Sequence, residues 1–295
     1  CLAVQSHSTA LPSSSLPGRG DMGDWAPWTA DRALFSQLHA AVTPGSAAHT
    51  KGAWVAGASS DRGDGMYINF PILGNHVQAR TLLLDVGVGS PESVIISNLM
   101  LCPPAVGGVT TQRETSQTIY FPVSSPPGYP IKMRAQASMA SHQGIYATSN
   151  KAASGLPVVG HVVDTYGANT TSTKGVTLTA PSSDGTYGSW TEIAASCERI
   201  KALMIACGHG QADWMTFSDQ WYQIQIGVGG AGSEQNILTL YEAGASSSAT
   251  GTVSQMVLGP YYVDIAPGSR LSARIGKQYS SASQRTIDVV LYGIR

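Results

Sequence analysis

The sequence predicts an all-β protein: two tandem jelly-roll-like antiparallel β-sandwich domains, an extended N-terminal arm and one short helix. Three observations lead there. Short apolar runs recur between Gly, Pro and Ser clusters, with little sustained helical periodicity. Only 12% of the residues are charged, against about a quarter in ordinary soluble domains, which suits a turn-rich β chain with a neutral polar surface. Above all, the chain repeats itself. Leu83-Leu84-Asp85-Val86-Gly87-Val88-Gly89 is answered by Ile224-Gln225-Ile226-Gly227-Val228-Gly229, and Pro127-Gly128 by Pro267-Gly268. Gly87 and Gly227 lie 140 residues apart (227 − 87), as do Pro127 and Pro267 (267 − 127). Upstream, Lys51-Gly52-Ala53-Trp54 faces Tyr187-Gly188-Ser189-Trp190, offset by 136 (190 − 54), which a short indel explains. A unit of about 110 residues is a normal size for one hydrophobic core.

Residues 1–41 read as an arm rich in Ser, Pro and Gly that ends in a short amphipathic helix. Thr29 is placed to cap it, and Leu34, Phe35, Leu38 and Ala41 recur at helical spacing. Such a segment has too little apolar surface to fold alone, so Trp25, Trp28, Leu34, Phe35 and Leu38 are the candidate partner-docking residues. Residues 42–150 form the first β-sandwich repeat. Ile131, Met133 and Ala135 alternate with Lys132, Arg134 and Gln136, while Val94-Ile95-Ile96 and Ile119-Tyr120-Phe121 are strand-like runs. Residues 151–176, small and polar, hold the linker. Residues 177–295 form the second repeat, closed by a strand in which Ile287, Val289 and Leu291 alternate with Asp288 and Val290. Ile193, Cys197, Ile200 and Met204 also fit a helix face, but the aligned Gly63-Asp64-Gly65 disfavours helix by roughly 1 kcal/mol per glycine, so strand, turn, strand is expected.

Several motifs are weighed and set aside. Gly227-x-Gly229-x-x-Gly232 matches a dinucleotide fingerprint, but the strand before it is half polar and no acidic residue follows at the ribose distance, so a turn between strands is expected and no cofactor. Arg-Gly-Asp at residues 19–21 and 62–64 reads as exposed glycine turns. The seven histidines lack metal-ligand spacing, and no Gly-x-Ser-x-Gly elbow occurs. No catalytic, cofactor or metal residue is therefore assigned, although a glycosidase needs only two carboxylates and carries no motif. A net charge of −1 gives no basic footprint for nucleic acid, and no apolar run is long enough for membrane insertion. Cys197 and Cys207 are expected as small buried thiols, with pairing possible only on adjacent strands. The first residue is Cys1, which fits a processed or trimmed chain, or a mature lipoprotein.

Glu92 and Glu234 occupy equivalent loops, and Arg134 and Arg274 equivalent strands. A recurring structural contact, such as Glu accepting backbone N–H groups in its turn, is expected over paired ligand sites. Trp54 and Trp190 are expected as core or inter-sheet anchors. Trp214 and Trp221 are the candidate surface-binding aromatics, with Tyr120, Tyr261 and Tyr262 beside them.

The phrases Gly229-Gly230-Ala231-Gly232-Ser233-Glu234-Gln235, Ala266-Pro267-Gly268-Ser269-Arg270-Leu271-Ser272-Ala273-Arg274 and Val289-Val290-Leu291-Tyr292-Gly293 resemble minor structural proteins of tailed bacteriophages and phage-derived gene-transfer particles. The resemblance covers most of the second copy and, more loosely, the first, and none of the first 41 residues. It implies a non-enzymatic virion component: a tail fibre, spike or head or neck decoration, in a homo-oligomer (a trimer by analogy with fibres), contacting other virion proteins and a host surface glycan or protein. Two alternatives stay open, a carbohydrate-binding or carbohydrate-active surface protein and a secreted or lipidated bacterial adhesin.

Overall fold

The computed structural model describes residues 40–56, 66–72, 81–101, 115–124, 129, 131–140, 145–151, 158–208, 221–243, 256–277 and 286–295. Among these there is no helix, and every strand pairing is antiparallel. The first lobe comprises β1 (Ala40–Val42), β2 (Val55–Ala56), β3 (Met66–Ile72), β4 (Leu82–Val88), β5 (Ser93–Leu101), β6 (Thr115–Phe121), β7 (Ile131–Ala137) and β8 (Ile145–Lys151). They form two four-stranded sheets in the orders β1-β8-β3-β6 and β2-β7-β4-β5. Eight strands interleaved in this way between two sheets make a jelly roll.

The second lobe repeats the plan. Its strands are β9 (Val163–Tyr166), β10 (Val176–Thr179), β11 (Thr186–Tyr187), β12 (Thr191–Ala194), β13 (Ile200–Gly208), β14 (Trp221–Val228), β15 (Gln235–Ala243), β16 (Met256–Ile265), β17 (Leu271–Lys277) and β18 (Thr286–Ile294). The sheets run β10-β18-β13-β16 and β12-β17-β14-β15, with β9 added to β18 and β11 to β17. Register agrees as well as order. Leu82 pairs with Ala137 and Val88 with Ile131, and the same pairs displaced by 140 are Tyr222 with Lys277 and Val228 with Leu271. Gly87 and Gly227 thus sit at one position of one topology.

Strands β13 and β18 decide how the lobes meet. Leu203, Ile205, Cys207, Ile287, Val289 and Leu291 point into the second sandwich. Their alternates Ala202, Met204, Ala206, Val290, Tyr292 and Ile294 are equally buried, in the core of the first lobe. A period of two with both phases apolar is the mark of a sheet covered on both faces. Val290, expected on the polar side of its strand, is therefore buried, because the first lobe replaces solvent there. Tyr292 ties the two lobes. Its ring meets Phe121 edge-on at 6.4 Å, while its hydroxyl accepts from the Met100 N–H at 2.7 Å and donates to the Asn98 carbonyl at 3.0 Å.

Three local expectations have different outcomes. Of the short helix, residues 29–39 lie outside the described residues, and Ala40 and Ala41 belong to β1, paired with Ala147 and Tyr146 of β8. The segment read as linker carries a strand of its own, β9, which pairs with β18 and whose Thr165 hydroxyl donates to the Ser97 carbonyl at 2.6 Å. The stretch from Ile193 to Met204 is strand, turn, strand, as glycine in its counterpart suggested.

Replacing Tyr292 with Phe keeps the ring and removes both hydroxyl bonds from a buried site. Loss of a partner at buried polar groups costs about 1–3 kcal/mol. The variant should show that loss in denaturant unfolding with its far-ultraviolet dichroism unchanged. Equal stability of variant and wild type would mean that these bonds do not help hold the lobes.

Candidate functional site

The polar side chains that recur in both lobes gather on the outer faces of the sheets β2-β7-β4-β5 and β12-β17-β14-β15. On β7 and β17 the inward residues are Ile131, Met133 and Ala135, and Leu271, Ala273 and Ile275. Strand alternation therefore turns Lys132 and Arg134, and Ser272 and Arg274, outward. Opposite them across the β4–β7 and β14–β17 ladders stand Gly87 and Asp85, and Gly227 and Gln225.

Each glycine is the seat of a tryptophan. A Cβ at Gly87 would fall 3.0 Å from Trp54 Cη2 and 2.9 Å from the Ser93 carbonyl oxygen. At Gly227 it would fall 2.8 Å from Trp190 Cζ3. Only glycine lets the indole lie this close to the strand. Beside the seat, the Arg134 guanidinium stacks 4.5 Å from the Trp54 ring and Arg274 stacks 4.3 Å from Trp190. Both tryptophans are half-buried on an outer face. They are not the inter-sheet anchors expected from sequence, because the residue that receives them, glycine, is on the outward phase of its strand.

In lobe 1 the cluster is ionic. Arg134 Nε donates to Asp85 Oδ2 at 2.9 Å, Lys51 Nζ to Oδ1 at 2.8 Å, and the Asn98 N–H to Oδ1 at 2.9 Å. The Asp85 side chain is only 5% exposed. A buried carboxylate needs such partners, since removing one member of a buried pair costs about 3–5 kcal/mol. Burial pushes the Lys51 ammonium below the usual lysine value, and the bond and charge of Asp85 work against that shift. Asn98 occupies a left-handed conformation (φ 53°) at a bulge opposite Asp85, a conformation asparagine tolerates. The same face is also covered. Gln136 Nε2 donates to the Thr170 carbonyl at 2.7 Å and to Thr173 Oγ1 at 2.8 Å, holding the turn that precedes β10.

In lobe 2 the cluster is neutral apart from its arginine. Arg274 Nε donates to Gln225 Oε1 at 2.8 Å. Tyr187, which aligns with Lys51, lies against Gly276, where a Cβ would fall 2.7 Å from Tyr187 Cε1. Its ring is 4.7 Å from the Arg274 guanidinium, and its hydroxyl is bonded to Gln223. Arg274 is thus in contact with two rings. On β15, opposite Gly227 and Gln225, Asn236 Nδ2 donates to Thr239 Oγ1 at 2.9 Å.

Acidic turns frame both faces. Lys132 Nζ donates to Glu92 Oε1 at 2.6 Å. Arg270 reaches Glu234 Oε1 at 2.8 Å and Glu192 Oε2 at 2.7 Å, and Glu234 Oε2 accepts the Gly232 N–H at 2.9 Å. Glu92 and Glu234 are held below the usual carboxylate range, first by the hydrogen bonds from Lys132 and Arg270 and then by backbone N–H groups. These are structural contacts of the kind expected for the paired glutamates.

The sequence-derived candidates are scattered or lie elsewhere. Trp25, Trp28, Leu34, Phe35, Leu38 and Trp214, and both Arg-Gly-Asp triplets, fall outside the described residues. Trp221 opens β14, at the end of the strand away from Gly227. Tyr120 and Tyr261 are half-buried, while Tyr262 on β16 is 61% exposed. Cys197 and Cys207 are buried, one before β13 and one near its end, too far apart along an extended strand to pair. The stretch from Gly227 to Gly232 joins β14 to a second strand rather than a helix, as its half-polar lead predicted. Among the described residues no group of three or more His, Cys, Asp or Glu could hold a metal ion.

No protein-family model matches the chain, and no curated protein does. Among solved structures it is similar to PNGase F, a glycosylasparaginase from Flavobacterium meningosepticum, with a TM-score of 0.42 and 11% identity over 87% of this chain and 93% of that one. It is also similar to PNGF-II (TM-score 0.40, 12% identity, 82% of this chain and 59% of that one). A third likeness is to the VP2 subviral particle of infectious bursal disease virus (TM-score 0.28, 12% identity, 78% of this chain and 56% of that one). The neighbours thus include an enzyme and a viral particle protein, and likeness at these values carries no argument for activity or assembly.

Two outcomes test the clusters. Gly227→Ala and Gly87→Ala should each destabilise the protein by about 1–3 kcal/mol, the usual cost of overpacking. They should also change the tryptophan fluorescence as the indole leaves its seat; unchanged stability and emission would remove the seat argument. Separately, a carboxylate whose folded pKa is depressed contributes stability above its unfolded pKa of about 4.3, and that contribution is lost as pH falls through the folded value. The double variant E92Q/E234Q should be less stable than wild type at pH 7 and lose less on acidification to pH 3. Parallel stability curves for the two proteins would show that the turns do not depend on these charges.

Proposed function

We infer that the chain is a non-enzymatic structural component of a tailed-phage virion, such as a tail fibre, spike or head or neck decoration in contact with the host surface. The observation that carries this reading is what the duplication kept. The residues common to both lobes are tryptophan, its glycine seat, the stacked arginine and the paired glutamate, and each is engaged with another member of its own cluster. Shared residues that serve the scaffold suit a protein whose task is to hold a shape. The lobes belong to one compact unit, which suits a load-bearing part, and the sequence phrases of the second copy resemble phage structural proteins.

On this reading residues 42–150 and 177–295 are the two building lobes, residues 151–176 connect them, and residues 1–41 are the attachment arm. The arm would dock through Trp25, Trp28, Leu34, Phe35 and Leu38 into a neighbouring subunit or another virion protein, giving a homo-oligomer with trimer as the favoured state. Deleting residues 1–41 should leave folded lobes that no longer enter particles. Particle incorporation of the truncated chain at normal copy number would rule out the anchoring role.

A further inference from the structure

The outer face of lobe 2 differs from its lobe 1 counterpart in a way that folding does not require. Both keep the tryptophan, its glycine and the stacked arginine. Around that shared core, lobe 1 closes its face with the Lys51–Asp85 ion pair and seats the turn before β10 through Gln136. At the positions of Lys51, Asp85 and Gln136, lobe 2 has Tyr187, Gln225 and Gly276. The face that is an interface in lobe 1 has become, in lobe 2, a pair of half-buried rings set among amides.

The rings lie flat. Trp190 rests on Gly227 and Tyr187 on Gly276, each with Arg274 against it. Both rings keep part of their surface exposed. Gln223, Gln225, Asn236 and Thr239 stand on the same face, joined by the Tyr187–Gln223 and Asn236–Thr239 bonds.

We propose that this outer face of sheet β12-β17-β14-β15 binds a neutral oligosaccharide. A pyranose ring offers a patch of C–H groups that stacks on an aromatic face, and a rim of hydroxyls that both donate and accept. Amides and hydroxyls match that rim because they too do both, and flat aromatic side chains supply the apolar platform. An anionic ligand would call for an uncommitted cation, whereas Arg274 is stacked on two rings and bonded to Gln225. A peptide added as a strand would use a sheet edge, not a face. The proposal goes beyond the assembly role and does not rest on it: arm deletion tests assembly, and sugar binding tests this face.

The test uses the full chain, fluorescently labelled, on an array of neutral glucose-, galactose- and N-acetylglucosamine-based oligosaccharides with sialylated and sulfated sets beside them. Binding to at least one neutral oligosaccharide is expected. Tyr187→Ala should weaken it about tenfold or more, while Tyr262→Ala, an exposed ring on another sheet, should leave it unchanged. Because Tyr187 also packs on Gly276, Asn236→Ala and Thr239→Ala are read in parallel with the melting temperature of every variant, and both should weaken binding without loss of fold. The proposal is overturned by an array blank for all neutral sugars, by binding confined to the charged sets, or by loss of binding in Tyr262→Ala. Full binding in folded Tyr187→Ala overturns it too; if Tyr187→Ala does not fold, full binding in folded Asn236→Ala and Thr239→Ala does the same.

Discussion

Strands β13 and β18 have almost no solvent side, and the arrangement of both lobes depends on this. From Ala202 onward the odd-numbered apolar residues of β13, with Ile287, Val289 and Leu291 of β18, fill the second sandwich, and the even-numbered Met204, Val290, Tyr292 and Ile294 fill the first. Burying side chains of this size stabilises by roughly 1.5–3 kcal/mol each. Four of them approach the ~5–15 kcal/mol that is the whole net stability of a typical domain. The lobes are therefore not beads on a string, and the turn before β10 and strand β9 are fixed where the two meet. The bulge at Asn98 belongs to the same constraint: it aims one carbonyl at Tyr292 and one N–H at Asp85.

Duplication leaves its trace where packing tolerates no change. Between β4–β7 and β14–β17 the 140-residue displacement is kept for every ladder pair. It falls to 136 at Trp54 and Trp190 and rises to 142 at Glu92 and Glu234, so length varied in the connections. Loops accept insertions at little cost, whereas a one-residue slip in a strand would turn its apolar set outward.

Much of this was legible in the sequence because it is local. The alternation at Ile131 to Arg134, the turn after Gly227 and the strand reading of Ile193 to Met204 each follow from period or turn chemistry over a few residues. The double burial of β18 was not. Val289-Val290-Leu291-Tyr292 is apolar on both phases, but a run of that length does not say what covers its second face. Trp54 and Trp190 were misplaced for a related reason: a large apolar ring looks like core until the residue beneath it is known. The signal lay in Gly87 and Gly227, since a glycine inside a strand marks a close approach. The residues singled out for docking, Trp25, Trp28, Leu34, Phe35 and Leu38, rest on composition and helical spacing alone and lie outside the described residues.

The two outer faces show how copies of one unit can diverge without cost to the fold. The tryptophan, glycine and arginine fix the geometry of the sheet surface, and that leaves the neighbours of the arginine free to change. Lobe 1 satisfies Arg134 with a buried carboxylate, which commits Lys51 and the Asn98 backbone to the same charge. Lobe 2 satisfies Arg274 with an amide, which carries no charge to neutralise, so the lysine position could become an aromatic ring. Asp85 to Gln225 and Lys51 to Tyr187 are in this sense one coupled exchange. Either change alone would leave a buried carboxylate short of a cation, or a half-buried ammonium facing an arginine with no acid between them. Made together, they keep the clamp and free a surface.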